Sequence, residues 1–193
     1  MARQSKPRRG QTNRLRIIAG RWRGRRLEFP AVEGLRPTPD RLRETLFSWL
    51  QGRLHGARCL DLFAGSGALG LEALSRGAGE CVFVERDKRA AASLRQHCQR
   101  LQATARIHCQ DALECLQTPP AQPPFELVFL DPPFHRGLAQ PCLQALIGNG
   151  WLAAHARIYL ETEPGMDALP PGLQVEKEKR AGQVLSRLLT YRP

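Results

Sequence analysis

The residues best suited to chemistry begin with a glycine-rich stretch that follows a short apolar run. It reads Asp61-Leu-Phe-Ala-Gly-Ser-Gly-Ala-Leu-Gly70. Its glycines let the backbone approach a ligand closely, and a helix beginning there would point unpaired N–H groups at that ligand. Glu85 ends the next apolar run, where its carboxylate could accept hydrogen bonds from ribose hydroxyls. The spacing Gly65-x-Gly67-x-x-Gly70 also matches the dinucleotide-binding fingerprint, so an NAD-dependent dehydrogenase is an alternative at this point.

The carboxylate at position 61 favours a ligand other than a dinucleotide. Asp61 ends the apolar run that we expect to form the first strand of a sheet. A pyrophosphate would gain nothing from a negative charge there. A ligand carrying an ammonium group, such as the methionine part of S-adenosylmethionine (AdoMet), would pair with it.

A second motif, Asp131-Pro132-Pro133-Phe134, follows the run that we predict to be the fourth strand. In a doubly wound sheet this strand lies next to the first, so the two motifs should meet at one edge. Prolines fix φ and carry no N–H, so the loop offers acceptors only: the Asp131 carboxylate and a rigidly directed carbonyl. Acceptors beside an aromatic face suit the exocyclic amino group of a flat heterocycle, and the motif predicts a site for such a group.

The positive charge of the chain is concentrated near its N-terminus. The 193 residues carry a formal net charge of +11, and residues 1–55 hold 14 basic against four acidic residues, a net of +10. Of these 14 cations, 13 are arginine, which suits bidentate contact with phosphate and stacking on bases. Apolar residues such as Ile17, Trp22 and Phe29 interleave with the arginines, which a solvated tail would not need. We therefore predict a nucleic-acid-binding element in this region.

Composition argues against several other classes of protein. With 42% hydrophobic residues the chain can bury a sizeable core, so wholesale disorder is excluded. No apolar run reaches the ~20 residues that span a bilayer, and no apolar segment typical of a secretory signal follows the basic N-terminus. The six cysteines have neither CxxC pairing nor zinc-ligand spacing. We expect reduced thiols, no metal and a cytoplasmic location.

The hydrophobic pattern predicts an N-terminal extension ahead of the main domain. We expect a disordered basic arm over 1–13 and a basic β-hairpin extension over 14–34. Thr38 should then cap a helix whose first residue is Pro39. The apolar stripe of that helix would consist of Leu42, Leu46, Trp49 and Leu50.

From residue 58 onward the pattern alternates between strand and helix, which predicts a mostly parallel sheet with helices on both faces. The expected strands are 59–63, 80–85, 106–110, 126–131, 157–162, 173–179 and 184–191, the last two forming a hairpin. The expected helices run from the glycine loop to about 76, over 88–101, and from about 138.

The motifs around Asp61, Glu85, Asp111 and Asp131 resemble those of class I AdoMet-dependent methyltransferases, within them the enzymes that methylate amino groups. Residues 16–27 and 35–47 are similar to the bacterial 16S ribosomal RNA (guanine-N2)-methyltransferases that modify the guanine at position 966. The similarity runs from about Leu15 to the C-terminus; Pro39 departs from the family pattern and should affect the helix start only.

The resemblance implies an α/β fold, the Rossmann-like class I methyltransferase fold. This fold is a mostly parallel seven-stranded sheet with helices on both faces, a terminal antiparallel hairpin and a small N-terminal β-hairpin extension. The methyltransferase domain would occupy 35–193.

The resemblance also implies roles for individual residues. The target base would be held by Asp131, Pro132, Pro133 and Phe134. AdoMet would contact Asp61, Phe63, Gly65, Ser66, Gly67, Glu85, Arg86, Asp111 and Ala112. In that set Asp61 faces the methionine part, Glu85 the ribose and Asp111 the adenine amino group. RNA would meet Arg16, Arg21, Trp22, Arg23, Arg25 and Arg26 of the hairpin, and Arg36, Thr38, Arg43 and Glu44 at the border of the pocket.

The implied reaction is direct methyl transfer from AdoMet to N2 of one unstacked guanine in 16S rRNA. The implied setting is an assembling 30S particle, with small-subunit ribosomal proteins as further partners of a monomeric enzyme. The Asp-Pro-Pro-Phe motif does not itself encode the base, so an adenine-N6 methyltransferase acting on DNA or RNA is an alternative. A non-catalytic RNA-binding factor for ribosome assembly is another.

Overall fold

The computed structural model describes residues 12–32, 39–166 and 168–193. The strands are β1 (Thr12–Arg16), β2 (Arg26–Pro30), β3 (Arg58–Asp61), β4 (Glu80–Val84), β5 (Ala105–His108), β6 (Phe125–Leu130), β7 (Leu152–Thr162), β8 (Leu173–Ala181) and β9 (Val184–Tyr191). The helices are α1 (Asp40–Trp49), α2 (Ala68–Ser75), α3 (Lys88–Leu101), α4 (Ala112–Leu116) and α5 (Ala139–Gly148).

Within these residues the main sheet has seven strands in the order β5-β4-β3-β6-β7-β9-β8, and β1 pairs with β2 in a separate hairpin. Strands β3 to β7 all run parallel to one another, whereas β9 is antiparallel to both β7 and β8. The strand order reverses between β3 and β6, which makes the carboxyl ends of these two strands the switch point of the sheet. The predicted Rossmann-like fold is confirmed.

Helices cover both faces of the main sheet because its central strands are apolar on both sides. On one face Phe83 and Phe129 belong to a buried cluster with residues of α1, α2 and α3, including Phe47. On the other face Val128 is buried with residues of α4 and α5, including Leu143. The two clusters hold the switch-point strands rigidly between them.

The β1–β2 hairpin docks on the end of α2. The Ser75 carbonyl, at the C-terminus of that helix, accepts a hydrogen bond from the Arg21 N–H at 2.8 Å, and the Ser75 hydroxyl accepts one from the Trp22 N–H at 3.0 Å. Gly20 has φ +81°, and a Cβ there would lie 1.8 Å from the Ser75 carbonyl oxygen. The close approach of the hairpin to the helix therefore requires glycine at position 20.

Most predicted boundaries are within two residues of the observed ones, and α3 and β9 match theirs in full. The hairpin begins at Thr12, inside the segment 1–13 that was expected to be an arm; residues 1–11 lie outside the described residues. Strand β7 begins at Leu152 rather than at residue 157, with an irregular register opposite Phe125 and Leu127 of β6. Helix α4 was not predicted, because five residues are too few to show helical periodicity.

The start of α1 differs from the prediction. Pro39, with φ −55° and ψ 144°, is the N-cap and Asp40 is the first helical residue, whereas Thr38 lies outside the described residues. In the predicted apolar stripe Leu46 and Leu50 are buried, but Leu42 and Trp49 are half-buried.

The buried side of α1 also includes Arg43 and Phe47. The buried face is therefore rotated relative to the predicted one, because the charge of Arg43 is matched inside the fold, as described below.

All six cysteines are free thiols, and Cys109 is the exposed one. No group of three or more His, Cys, Asp and Glu side chains in the described ranges could hold a metal ion. Over the same ranges no helix combines the length and apolar character needed to cross a bilayer.

Candidate active site

The two predicted acidic motifs meet at the switch point. Asp61 is the last residue of β3 and pairs in register with Phe129 of β6, and Asp131 follows the last residue of β6. Since side chains alternate along a strand, Asp131 continues on the face occupied by Phe129 and Asp61. The structure thus brings together the carboxylate expected to bind the cofactor and the carboxylate expected to bind the base.

Asp61 is almost completely buried, at 3% exposure. Its Oδ2 accepts a hydrogen bond from the Gly70 N–H in the first turns of α2, at 3.0 Å. Burial raises the pKa of Asp61 to about 7; the Gly70 N–H opposes the shift and the negative charge of Glu85 adds to it. A cationic group bound beside this carboxylate would favour its ionised form.

The glycine loop is held between β3, β4 and α2. Gly67 caps α2 with φ +78°, and a Cβ there would come within 2.5 Å of Leu94 in α3. Gly65 also has a positive φ, of 51°. These two left-handed residues wrap the backbone tightly around the end of β3, with Ser66 buried between them and Phe63 half-buried.

Glu85 links the glycine loop to the start of α3. Its Oε2 accepts from the Gly65 N–H and its Oε1 from the Asp87 N–H, each at 2.7 Å. Each carboxylate oxygen keeps further lone pairs for a ligand hydroxyl, since an ionised carboxylate offers about four acceptor sites. The next side chain, Arg86, is exposed at the same edge.

Asp111 lies at the start of α4 and has a structural task that was not expected from the sequence. Its Oδ1 caps the helix by accepting from Leu113 N–H at 2.8 Å and Glu114 N–H at 3.4 Å. Both cap bonds use the same oxygen, so the cap leaves Oδ2 for another donor. Ala112, the first residue of the helix, is buried.

The Asp-Pro-Pro-Phe loop is anchored to the end of β7. Pro132 is buried, Pro133 exposed and Phe134 half-buried. His135 has φ +60°, and its backbone N–H donates to Glu163 Oε1 at 3.0 Å. The strained backbone at His135 is thus held by a carboxylate that follows the neighbouring strand, which fixes where the loop turns.

A buried polar cluster lies on β7 and β9, beside the strand that ends at the loop. The Tyr159 hydroxyl donates to Glu161 Oε1 at 2.5 Å and contacts Ser186 Oγ at 3.3 Å. Burial raises the pKa of Glu161, and the Tyr159 hydrogen bond lowers it in part. The pKa of Tyr159 is raised by burial, with smaller contributions from Glu161 and from Asp131. Leu160, between Tyr159 and Glu161, pairs with Leu130 of β6, so the strand register places this second carboxyl group beside the end of β6 that Asp131 follows. The sequence did not predict it.

Of the hairpin residues predicted to contact RNA, the five arginines are exposed and the tryptophan is buried. Arg23, Arg25 and Arg26 are exposed, Arg21 stacks its guanidinium 4.0 Å from the centre of the Trp22 ring, and Arg16 pairs with Asp40 at 3.1 Å. Trp22 itself is 6% exposed and belongs to the core beneath the hairpin. The structure thus corrects its predicted role: the ring supports the hairpin and is not presented to RNA.

The residues predicted to border the pocket behave differently from one another. Arg43 is 1% exposed and forms ion pairs with the buried Glu72 and the partly exposed Asp40, so the structure corrects its role from a pocket residue to a buried structural cation. Glu44 is exposed on α1. Arg36 and Thr38 lie outside the described residues.

The positive charge of Arg43 is paired with the negative charge of Glu72, a residue that the sequence analysis did not single out. Glu72 is 0% exposed and lies in α2, where an acid inside the run Ala-Leu-Gly-Leu-Glu-Ala-Leu was the available signal of a buried charge. Its carboxylate accepts from the backbone N–H groups of Ile18 and Ala19, and from the side chain of Arg76. A single carboxylate thus joins the hairpin to α1 and α2.

Comparisons with known proteins match the chain over nearly its whole length. A family model described as conserved hypothetical protein 95 matches residues 15–190. Ribosomal RNA small subunit methyltransferase D of Haemophilus influenzae is 48% identical over 178 residues, covering 90% of this chain and 92% of that protein. The protein of the same name from Escherichia coli is 46% identical over 186 residues, covering 95% and 93%. A solved Escherichia coli structure assigned to the methyltransferases has a TM-score of 0.85 at 44% identity, covering 93% of this chain and 99% of that one.

The strand order of the main sheet, its antiparallel β8–β9 edge and this structural likeness make the chain a class I methyltransferase. The sequence matches identify a narrower group of proteins than the fold does. The chain belongs to the bacterial family of ribosomal RNA small subunit methyltransferase D, the 16S rRNA methyltransferases that the N-terminal motifs resembled.

Proposed function

We propose that this chain transfers a methyl group from AdoMet to the exocyclic N2 of one guanine in 16S rRNA, on an assembling 30S particle in the cytoplasm. The observation that carries the proposal is the placement of Asp131 and its proline loop beside Asp61 and the glycine loop, on one face of the switch point. The names of the relatives, ribosomal RNA small subunit methyltransferase D, support the rRNA substrate.

The residues at the switch point fit AdoMet. Asp61 is a buried carboxyl group whose charge is supported by the Gly70 N–H, and an ammonium group would supply the missing countercharge. Glu85 would accept from ribose hydroxyls, and the Oδ2 of Asp111 would accept from the adenine amino group. When bound, AdoMet supplies an electrophilic methyl group.

The Asp-Pro-Pro-Phe loop would prepare the guanine amine for attack. The lone pair of this nitrogen is delocalised into the ring, which makes it a poor nucleophile. Hydrogen bonds from its two N–H groups to the Asp131 carboxylate and the Pro132 carbonyl favour a pyramidal nitrogen whose lone pair points out of the ring plane. Stacking on Phe134 is worth about 1–3 kcal/mol and holds the unstacked base. Catalysis would come chiefly from positioning and electrostatics.

The proton released after transfer would go to Asp131 or to water. Methylation acidifies the remaining N–H, so Asp131 need not be a strong base before the attack. Tyr159 and Glu161 are buried on the neighbouring strand β7 and would limit the access of bulk water to Asp131 from that side.

The test is to incubate the protein with labelled AdoMet and 30S particles from a strain lacking this activity, then digest the RNA and identify the labelled nucleoside. We expect N2-methylguanosine at one site. Asp131→Ala should abolish turnover while AdoMet binding stays measurable, and Glu114→Gln, an exposed acid on α4, is the matched control. Labelled N6-methyladenosine would overturn the guanine assignment, and a fully active Asp131→Ala variant would overturn the proposed role of the loop.

A further inference from the structure

A basic cleft separates the hairpin from α3. It has a volume of about 650 Å³ and is lined by residues of β1 and β2 on one side and by the C-terminal half of α3 on the other. Arg14, Arg25 and Arg26 come from the hairpin and Arg100 from the last turn of α3, with Glu28 as the one acid in the lining. The hairpin arginines therefore face a cation on a separate element of the main domain.

The walls of the cleft are fixed relative to each other. The Glu28 backbone carbonyl contacts His97 Nε2 at 2.6 Å and accepts from the Ser93 hydroxyl at 3.3 Å, and both residues belong to α3. His97 is only 5% exposed, and Leu27 and Leu101 are buried beside it. Because the hairpin is bonded to the helix, the backbone positions that carry the arginines are fixed before any ligand binds, which reduces the entropy cost of binding.

Three of the four arginines form no ion pair within the described residues: Arg25, Arg26 and Arg100. The fourth, Arg14, pairs its Nε with Glu28 Oε1 at 3.2 Å, an exposed contact that contributes little to stability. The guanidinium groups of the other three present forked N–H donors suited to phosphate oxygens.

The surface chemistry of the cleft favours an RNA backbone over an acidic protein. Cores of protein–protein interfaces are depleted of charge and rely on apolar or aromatic anchors. Here the apolar residues Leu27 and Leu101 are buried, and the one large hydrophobic residue exposed in the described ranges is Val175, on β8. Cationic side chains without an apolar anchor are typical of the phosphate contacts that position a nucleic acid.

The cleft is remote from the catalytic edge of the sheet. Helix α3 starts next to Glu85, and Arg100 lies 12 residues after its first residue, a distance of about 18 Å along the helix. The same nucleotide cannot both occupy the candidate active site, at the carboxyl ends of the strands, and contact Arg100. Any RNA bound here is backbone that flanks the modified nucleotide.

We propose that the cleft between the hairpin and α3 binds the phosphate backbone of the substrate RNA at a distance from the modified base, with Arg100 of the main domain acting together with Arg25 and Arg26. The proposal rests on the proposed function for the identity of the RNA. It goes beyond RNA binding by the hairpin alone, because it assigns one side of the binding surface to α3.

The decisive variant is Arg100→Gln, since a hairpin acting alone would not be affected by it. Arg25→Gln/Arg26→Gln and the triple variant complete the set, and Arg106→Gln on β5, exposed and outside the cleft, is the matched control. Affinity for a protein-free 16S rRNA fragment is measured by filter binding over a series of KCl concentrations. Thermal unfolding and AdoMet affinity are measured in parallel.

We expect Arg100→Gln to weaken RNA binding severalfold and the triple variant to weaken it at least tenfold, with AdoMet affinity unchanged. The dependence of log K on the logarithm of the salt concentration should become shallower by about 0.7–0.9 for each phosphate that is no longer neutralised. Arg100→Lys should keep most of this dependence, because it keeps the charge, although it cannot form the forked contact. If Arg100→Gln binds like Arg106→Gln with the same salt dependence, the proposal is overturned.

Two further results would distinguish the ligand of the cleft from the activity of the enzyme. Weakened binding to whole 30S particles with unchanged binding to protein-free rRNA would identify a ribosomal protein as the ligand and overturn the RNA assignment. RNA binding is measured without methyl transfer, so the two proposals can fail independently. If the wild-type chain binds RNA through these arginines but methylates no guanine, the proposed function is contradicted and the proposal for the cleft is still supported.

Discussion

Arg43 of α1 and Glu72 of α2 form an ion pair in which both side chains are buried, with 3.4 Å between Arg43 Nη1 and Glu72 Oε2 and exposures of 1% and 0%. The other guanidinium nitrogen, Nη2, donates to the Arg16 carbonyl at 2.8 Å. Glu72 also accepts from the backbone of the hairpin. Since α2 begins at the glycine loop, the element that carries the exposed arginines is fixed to the element that would hold AdoMet.

Glu72→Gln should therefore destabilise the whole domain. The change removes the charge while Arg43 stays buried and keeps, among the described residues, only its pair with Asp40, whose side chain is 46% exposed. Breaking a buried pair from one side costs about 3–5 kcal/mol, which is the upper limit of the loss we expect here. Urea unfolding measures the decrease in the free energy of unfolding, with Glu28→Gln as control because the Arg14–Glu28 pair is exposed and should contribute at most about 1 kcal/mol. Equal decreases in the two variants would contradict a structural role for Glu72.

The docking of the hairpin can be tested separately from charge. Gly20 and Gly24 both have φ +81°, but a Cβ would meet the Ser75 carbonyl at position 20 and nothing within 4 Å at position 24. Gly20→Ala and Gly24→Ala thus carry the same backbone strain, and their difference isolates the clash. We expect Gly20→Ala to lower the melting temperature more than Gly24→Ala does and to weaken RNA binding, with a smaller effect on AdoMet affinity. Identical behaviour of the two variants would show that the hairpin does not need its close contact with α2.

The strands, the long helices and the two acidic motifs could be predicted because their signals are local. Helix α3 has a regular apolar stripe over four turns and an Asp87 cap that accepts from the Arg89 and Ala90 N–H groups, and its predicted bounds were correct. The Asp-Pro-Pro-Phe motif is equally local, since prolines restrict the backbone wherever they occur.

The buried charges could not be predicted from local signals. Arg43 looked like one more cation in an arginine-rich segment, and its partner Glu72 lies 29 residues away on another helix. Trp22 was misjudged for the same reason, because the helix surface that buries it is distant in sequence. The five-residue helix α4 gave too short a pattern to reveal that Asp111 is its cap.

The anchor of the Asp-Pro-Pro-Phe loop gives a third prediction. Glu163→Ala removes the acceptor of the His135 N–H, so the loop after Phe134 should become less well fixed. Small misplacements of reacting groups reduce rates by up to about a hundredfold, so we expect kcat to fall by about tenfold or more while the Kd of AdoMet is unchanged. Glu163→Gln keeps an acceptor oxygen and should restore most of the activity. Equal kcat in Glu163→Ala and wild type would show that the loop holds its position without this bond.

The pKa of Asp61, raised by burial to about 7, predicts opposite effects on stability and on cofactor binding. The ordinary pKa of the group is 3.8, so between about pH 4 and 7 the folded state holds a proton that the unfolded state has released. Stability contributed by this group therefore falls as pH rises through that window. Asp61→Asn cannot lose a proton, so its melting temperature should match that of the wild type near pH 4 and exceed it at pH 8.

Cofactor affinity should change in the other direction, because an ammonium group pairs with the ionised carboxylate only. Wild-type affinity for AdoMet should weaken as pH falls below 7, by up to about tenfold per unit for one coupled proton. Asp61→Asn should bind AdoMet weakly at every pH, with no such dependence. Isothermal titration at pH 6, 7 and 8 measures both, and Glu114→Gln, whose carboxylate is exposed on α4, should follow the wild type. A more stable Asp61→Asn variant that bound AdoMet as tightly as the wild type would mean that this carboxylate carries no cofactor contact.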